Sequence, residues 1–281
     1  MTMTGASIHT IPGGFQDSGS GREDNERKII VFENEAQCAS FIVAFWREVC
    51  SETLEAKPSV SAALSGGRSP AGAYSPLAMA KDLPWKMIHV FMVDERFVPH
   101  DDQDSNFGMI RTALLDHVPI PKENVYPIET KLKGPVEAAG DYEKKLSQHF
   151  NLKKGELPRF DIVMLGLGED GHTASIFPGG PVPDDQEDRV QAVFAKGTGR
   201  DRVTLTMPVI NNARHILMLV LGQNKAAILR KIVDDRDKAL PGSRVRPAHG
   251  QLLVIADRDA AGSLAQGSYR EGPAMIEQSH G

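Results

Sequence analysis

The run Phe160-Asp161-Ile162-Val163-Met164-Leu165-Gly166-Leu167-Gly168-Glu169-Asp170-Gly171-His172-Thr173 passes from apolar residues into glycine and then presents two carboxylates beside an imidazole. A short apolar stretch that breaks at glycine reads as a buried strand running out into a loop, where α/β proteins keep their reactive groups. An imidazole with an ordinary pKa of about 6.5 takes or releases a proton at neutral pH, and an adjacent carboxylate can hold it in one orientation. The chemistry on offer is general acid–base catalysis by His172, with Asp170 or Glu169 as its partner.

The same letters contain Gly166-Leu167-Gly168-Glu169-Asp170-Gly171, a match to the dinucleotide-binding G-x-G-x-x-G pattern. That reading fails on charge. The motif sets pyrophosphate on a helix N-terminus, and Glu169 and Asp170 would press negative charge against it. Pro178-Gly179-Gly180-Pro181 follows too soon to leave room for a long crossover helix.

Other strand exits carry polar residues of their own. Ser65-Gly66-Gly67-Arg68-Ser69-Pro70 suits a phosphate, because its glycines let backbone N–H groups approach an anion and its hydroxyls add donors. Asp94-Glu95-Arg96-Phe97-Val98-Pro99 follows a second apolar run, with Ser105 and Asn106 opening the next helix. Arg202-Val203-Thr204-Leu205-Thr206 and Gly222-Gln223-Asn224-Lys225 can each bring one cation, a guanidinium fork and an ammonium, to a shared anion. No H-x-x-x-H or C-x-x-C spacing points to a metal, and Ser175 lacks the G-x-S-x-G elbow of a nucleophilic serine. No cofactor is expected.

The elements that must position these loops follow from periodicity. Lys28 to Phe32 reads as a strand, and Asn34 caps a helix with Cys38, Phe41, Ile42, Phe45 and Val49 on one face, ending near Pro58. Strands are expected at Val60–Leu64, Met87–Val93, Val125–Ile128, Asp161–Leu165, Arg202–Met207, His215–Leu221 and Leu252–Ile255. Helices should follow the Ser65 loop and Ser105, open at Pro135, and run over Asn224–Val233 and Asp257–Leu264. This alternation predicts an α/β fold, parallel β-α-β units with helices on both faces of one sheet.

With 281 residues, 41% hydrophobic and 25% charged, the chain suits one large domain, expected over residues 28–281 after a disordered tail at 1–27 rich in glycine and serine. A net charge of −5 offers polyanions no general attraction, so a nucleic-acid partner is not expected and any phosphate site must be locally basic. Cys38 and Cys50 lie about 18 Å apart along one predicted helix, too far for a disulfide, which suggests a reducing compartment. Without a signal-like or membrane-length apolar run, a cytoplasmic location is expected.

Taken together, the Ser65–Pro70 loop, Asp94–Pro99 with Ser105-Asn106, Gly166–Pro178 and Arg202–Thr206 resemble, in order and spacing, the 6-phosphogluconolactonase family. The resemblance spans roughly Lys28 to Leu264. It implies hydrolysis of 6-phosphoglucono-1,5-lactone to 6-phosphogluconate in the pentose phosphate pathway, by a monomer or small homo-oligomer, on a Rossmann-like, mainly parallel sheet of the NagB type shared with glucosamine-6-phosphate deaminases. The family's usual Ser-Gly-Gly-Ser-Thr-Pro reads Ser-Gly-Gly-Arg-Ser-Pro here, which keeps a hydroxyl at Ser69 and leaves Arg68 facing phosphate or solvent.

The deaminases carry a glutamate five residues after the histidine, where this chain has Phe177, and resemble Asp-Glu-Tyr where it has Asp94-Glu95-Arg96. An aldose–ketose isomerisation needs that extra carboxylate, and phenylalanine cannot move protons. The implied mechanism is metal-free. His172 is the base on water, Asp170 or Glu169 orients it, Arg96 or backbone N–H groups meet the oxyanion or hydroxyls, and Ser65, Gly66, Gly67, Arg202 and Lys225 hold the phosphate. Arg68, Ser69, Asp94, Glu95 and Asn106 complete the expected substrate contacts. The competing readings are a deaminase-like enzyme and a sugar-phosphate-binding module without catalysis.

Overall fold

Strands that exchange hydrogen bonds on both edges and are covered on both faces must be apolar throughout, and the central runs of this chain are. The computed structural model describes residues 27–180, 188–195 and 199–273. In chain order its elements are β1 (Lys28–Phe32), α1 (Glu35–Ala56), β2 (Val60–Leu64), α2 (Arg68–Met79), β3 (Ile88–Met92), β4 (Asp94–Arg96), α3 (Asn106–Ala113), β5 (Val125–Tyr126), α4 (Pro135–His149) and β6 (Ile162–Gly166). There follow β7 (Val190–Val193), β8 (Arg202–Leu205), α5 (Met207–Asn211), β9 (His215–Val220), α6 (Ala226–Val233), β10 (Gln251–Asp257), α7 (Arg258–Ala261) and β11 (Arg270–Glu271).

Eight strands form one parallel sheet in the order β11-β1-β10-β9-β6-β2-β3-β5. From β2 the chain moves outward to β3 and β5; from β6 it moves the opposite way to β9 and β10. Right-handed crossovers therefore place α1, α2 and α3 on one face and α4 to α7 on the other. The loops leaving β2 and β6 diverge at this reversal, which opens a crevice at the carboxyl ends of the strands. The Ser65 and His172 loops are the ones that diverge there.

The apolar face of α1 buries Cys38, Phe41, Ile42, Phe45, Trp46 and Val49, and the Asn34 side chain caps it by accepting from the Gln37 amide at 3.0 Å. Ser105 caps α3 through Gly108, Asp257 caps α7 through Ala260, and Pro135 opens α4 at its first position. Asn34, Ser105 and Pro135 stand where the sequence places them, whereas the last helix, expected over Asp257–Leu264, runs only over Arg258–Ala261 with Asp257 as its cap. Both cysteines are free and buried.

Some expectations need correction. The run from Arg202 does not join the main sheet: β8 pairs antiparallel with β4 and β7 in a separate three-stranded sheet. The residues expected as the Asp94 loop form β4, and Arg68-Ser69-Pro70 form the first turn of α2 instead of a loop. Strand β5 stops at Tyr126, and Met87 belongs to a 3-10 turn ahead of β3. Of the expected tail, residues 1–26 lie outside the described residues, but Arg27 is held, its guanidinium donating to the carbonyls of Ile232 at 2.6 Å and Ser243 at 3.1 Å. Among the described residues no helix is long and apolar enough to cross a membrane.

Candidate active site

A cavity of about 610 Å³ opens at the crevice. Ser65, Gly66, Gly67, Arg68 and Ser69 from the β2–α2 junction line it, with Asp94 and Arg96 of β4, Asn106 of α3, His172 of the β6 loop, Arg202 of β8 and Lys225 of the β9 loop. Chain segments far apart in sequence thus meet at one place.

The β2 exit is built for close approach. Gly67 has a φ of +97°, in the region that L side chains rarely adopt, and a Cβ on Gly66 would stand 1.8 Å from Asn106 Oδ1. The Tyr74 hydroxyl donates to the Ser65 carbonyl at 2.5 Å and pins the turn from below. That leaves the Ser65 hydroxyl buried, with no protein partner, at the cavity wall. A buried donor without a partner costs stability unless a ligand meets it.

At the β6 exit, the Gly168 amide donates to the His172 carbonyl at 2.8 Å and the Thr173 hydroxyl to the Gly166 carbonyl at 2.9 Å, which curls the loop back over the strand end. Asp170 Oδ1 lies 2.5 Å from His172 Nδ1 and also accepts from the His172 amide at 3.0 Å. Burial alone would raise the Asp170 carboxyl, but the amide and imidazole of His172 outweigh it and hold it below the ordinary carboxylate value. Glu169 is turned away and accepts from the Asn224 side chain at 2.6 Å. Of the two acids beside His172, Asp170 is therefore the one in contact with the imidazole.

Two cation pairs line the cavity. Arg96 and Arg202 are direct partners across the β4–β8 ladder, an arrangement of like charges that an isolated ladder would resist. Burial lowers the Arg202 pKa, Arg96 adds to the effect, and Asp94, Asp104 and Glu95 oppose it. Arg96 donates to the Asp104 carbonyl at 2.6 Å, while its buried Nε–H has no protein partner. Burial likewise lowers the Lys225 pKa, with Glu169 opposing and Arg68 adding to the shift. Arg68 thus lies within electrostatic range of Lys225, and it lines the cavity instead of standing clear of it.

Glu95 does not line the cavity, and the expectation that it meets substrate needs correction. Its carboxylate is fully buried and accepts from the Arg96, Asn106 and Phe107 amides and from the Ser105 hydroxyl, at 2.7 to 3.0 Å. Burial raises its pKa and these donors pull it back. Glu95 is the clamp that fixes α3, and with it Asn106, against β4. Replacing it by alanine strands those donors and is expected to lower the unfolding free energy by about 3 kcal/mol, read as a lower urea midpoint. An unchanged midpoint would contradict the clamp.

Sequence reasoning missed Glu35 and Asp257, which also line the cavity, and from the Gly222–Lys225 loop it chose Lys225 but not Gly222 or Asn224. Asp257 ends β10 and accepts from the Gly222 amide at 3.0 Å, so the strand-exit rule applied to the last long strand would have found it. Glu35 carried only a helix-start signal. Among the described residues, no group of three or more His, Cys, Asp or Glu side chains stands close enough to hold a metal ion.

Comparison with known proteins bears on this geometry. The family described as glucosamine-6-phosphate isomerases/6-phosphogluconolactonase matches residues 33–254. A 6-phosphogluconolactonase of Synechocystis sp. is 41% identical over 203 residues, covering 72% of this chain and 83% of the relative. The solved 6-phosphogluconolactonase from Trypanosoma cruzi superposes with a TM-score of 0.76 at 33% identity, over 86% of this chain and 98% of that one. A monomeric glucosamine-6-phosphate deaminase, at 20% identity and a TM-score of 0.71 over 84% of this chain and 99% of its own, shares the fold. This chain belongs to the glucosamine-6-phosphate isomerase/6-phosphogluconolactonase family.

Proposed function

We propose that residues 28–281 act as a single catalytic unit that hydrolyses 6-phospho-D-glucono-1,5-lactone to 6-phospho-D-gluconate. One observation carries the reading: the His172 imidazole, engaged at Nδ1 by Asp170, lines the same cavity as the Ser65–Gly67 turn and the cations Arg202 and Lys225. The relatives that bear the name 6-phosphogluconolactonase support it.

The chemistry follows from these groups. With its Nδ1 proton directed to the Asp170 carboxylate, the neutral imidazole keeps a lone pair on Nε2, which takes a proton from water as the water attacks the lactone carbonyl. Negative charge then develops on the former carbonyl oxygen, and the Arg96 guanidinium or backbone N–H groups meet it. Collapse of the tetrahedral intermediate breaks the ring C–O bond, and the imidazolium returns its proton to the leaving ring oxygen, which becomes the C5 hydroxyl. Ser65, Gly66, Gly67, Arg202 and Lys225 grip the phosphate at the far end, with Arg68 and Ser69 beside them, so that remote binding energy sets the carbonyl against the base. Asp94 and Asn106 face the sugar hydroxyls.

A deaminase reading would need an acid–base carboxylate where Phe177 stands. The discriminating experiment incubates the protein with fresh 6-phosphogluconolactone and, separately, with glucosamine 6-phosphate. Acid release from the first above its spontaneous rate, without ammonia from the second, is the expected result; ammonia release would reverse the assignment, and neither product would leave a binding module.

Arg202→Ala tests the phosphate assignment. The KM for the phosphorylated lactone is expected to rise about 10- to 30-fold, while the KM for unphosphorylated gluconolactone moves little. Equal shifts on both substrates would place Arg202 away from the phosphate.

A further inference from the structure

The imidazole of His172 has a second neighbour besides Asp170. The Phe177 ring stands 4.7 Å from it, centroid to centroid, at 39°. The Arg202 guanidinium carbon lies 5.3 Å from the centre of that same ring, so one phenyl group touches both the base and the cation assigned to the phosphate. The turn between them is built to bring Phe177 back: Thr173 bridges Ile176, the Ile176 amide donates to the Thr173 carbonyl at 3.0 Å, and Ala174 takes a φ of +51° to close the bend.

Each partner needs such a neighbour. Asp170, whose side chain is about half exposed, holds the imidazole at its Nδ1 edge, and Phe177 adds a packing contact to the ring. Arg202 stands opposite Arg96, and its side-chain hydrogen bond among the described residues is a long one, 3.5 Å, to the Ser175 hydroxyl. A phenyl face carries negative potential, attracts a guanidinium, and does not titrate. A carboxylate at the same place would pair with Arg202 and weaken its hold on a phosphate.

We propose that Phe177 is a positioning residue that sets the spacing between the His172 base and the Arg202 phosphate anchor. The proposal rests on the lactonase reading above and adds a specific division of labour. The bulk of the ring fences the imidazole and acts on kcat. Its π face holds the guanidinium and acts on binding of the phosphorylated end.

Leucine separates these roles because it keeps the bulk and loses the face. Phe177→Leu is expected to keep kcat within about threefold while raising the KM for phosphorylated lactone about 3- to 10-fold and leaving that for gluconolactone unchanged. Phe177→Ala should also lower kcat about 10-fold on both substrates, and Phe177→Tyr should recover most of both losses. Calorimetry with 6-phosphogluconate gives a second readout: a 3- to 10-fold weaker Kd for the leucine variant is expected on the same physical basis, roughly the range of one cation–π contact. A leucine variant with the wild-type KM and Kd, or an alanine variant with the wild-type kcat, overturns the proposal. Wild-type protein that binds 6-phosphogluconate but releases no acid from the lactone would instead count against the lactonase reading, and the Kd comparison would still decide the role of Phe177.

Discussion

His172→Ala lowers kcat by about 10²- to 10⁴-fold, the usual contribution of a general base, with KM changed by no more than about threefold. The separation of kcat from KM follows from where the side chain lies. The imidazole contacts Asp170 and Phe177 and is not part of either cation pair, so its loss removes proton transfer and leaves the phosphate grip in place. The fold should tolerate the change, because the side chain is about a third exposed and anchors no buried network. Stopped-flow acid release, corrected for spontaneous opening of the lactone, together with a thermal melt, measures both. Turnover within threefold of wild type would take the base role away from His172 and direct attention to Asp94, the buried carboxylate that lines the same cavity.

How much of this was legible in the residues depended on whether the cause was local. Strands β2, β9 and β10 stood out because a strand covered on both faces is mostly apolar along its length, and the caps Asn34 and Ser105 because one side chain satisfies its own helix end. Strand β4 was hidden for the opposite reason. Its residues Asp94 and Glu95 are of types depleted in strands, and the segment is extended because β8 pairs with it and because the Glu95 carboxylate collects amides from α3. The polar pair Arg270-Glu271, which makes β11, has no periodicity to read.

The site divides along the same line. Strand-exit logic led to the Ser65, Asp94, His172 and Lys225 loops without coordinates, since a parallel sheet collects its functional loops at one end. It did not separate Glu95, a carboxylate satisfied inside the protein, from Asp94, a carboxylate at the cavity wall, because adjacent residues of a strand point to opposite faces and the sequence carries no mark of which face is open. Nor did it choose between Glu169 and Asp170. Two residues of separation let Asp170 reach both the amide and the ring of His172, whereas Glu169 meets Asn224, a partner 55 residues away.

Gly168→Ala should cost about 10²-fold in kcat while leaving the fold and substrate affinity nearly intact, the size expected when a catalytic group is moved by about 1 Å. A Cβ built on Gly168 would lie 2.1 Å from His172 Nδ1, 2.3 Å from its Cε1 and 2.6 Å from Asp170 Oδ1, all well inside the roughly 3.5 Å of ordinary contact. The methyl group therefore displaces the Asp170–His172 contact itself. Gly168 is not in the left-handed region, so alanine brings no backbone strain, and the displaced side chains are partly exposed and free to move outward. Gly66→Ala differs because its Cβ would collide at 1.8 Å with Asn106, which is buried and bonded to the Asp94 carbonyl, so that variant should lose stability as well as activity. Steady-state kinetics and thermal melts of the two variants side by side distinguish a misplaced base from a damaged fold. A Gly168→Ala enzyme that turns over within threefold of wild type would mean that catalysis does not depend on the imidazole being held where Asp170 holds it.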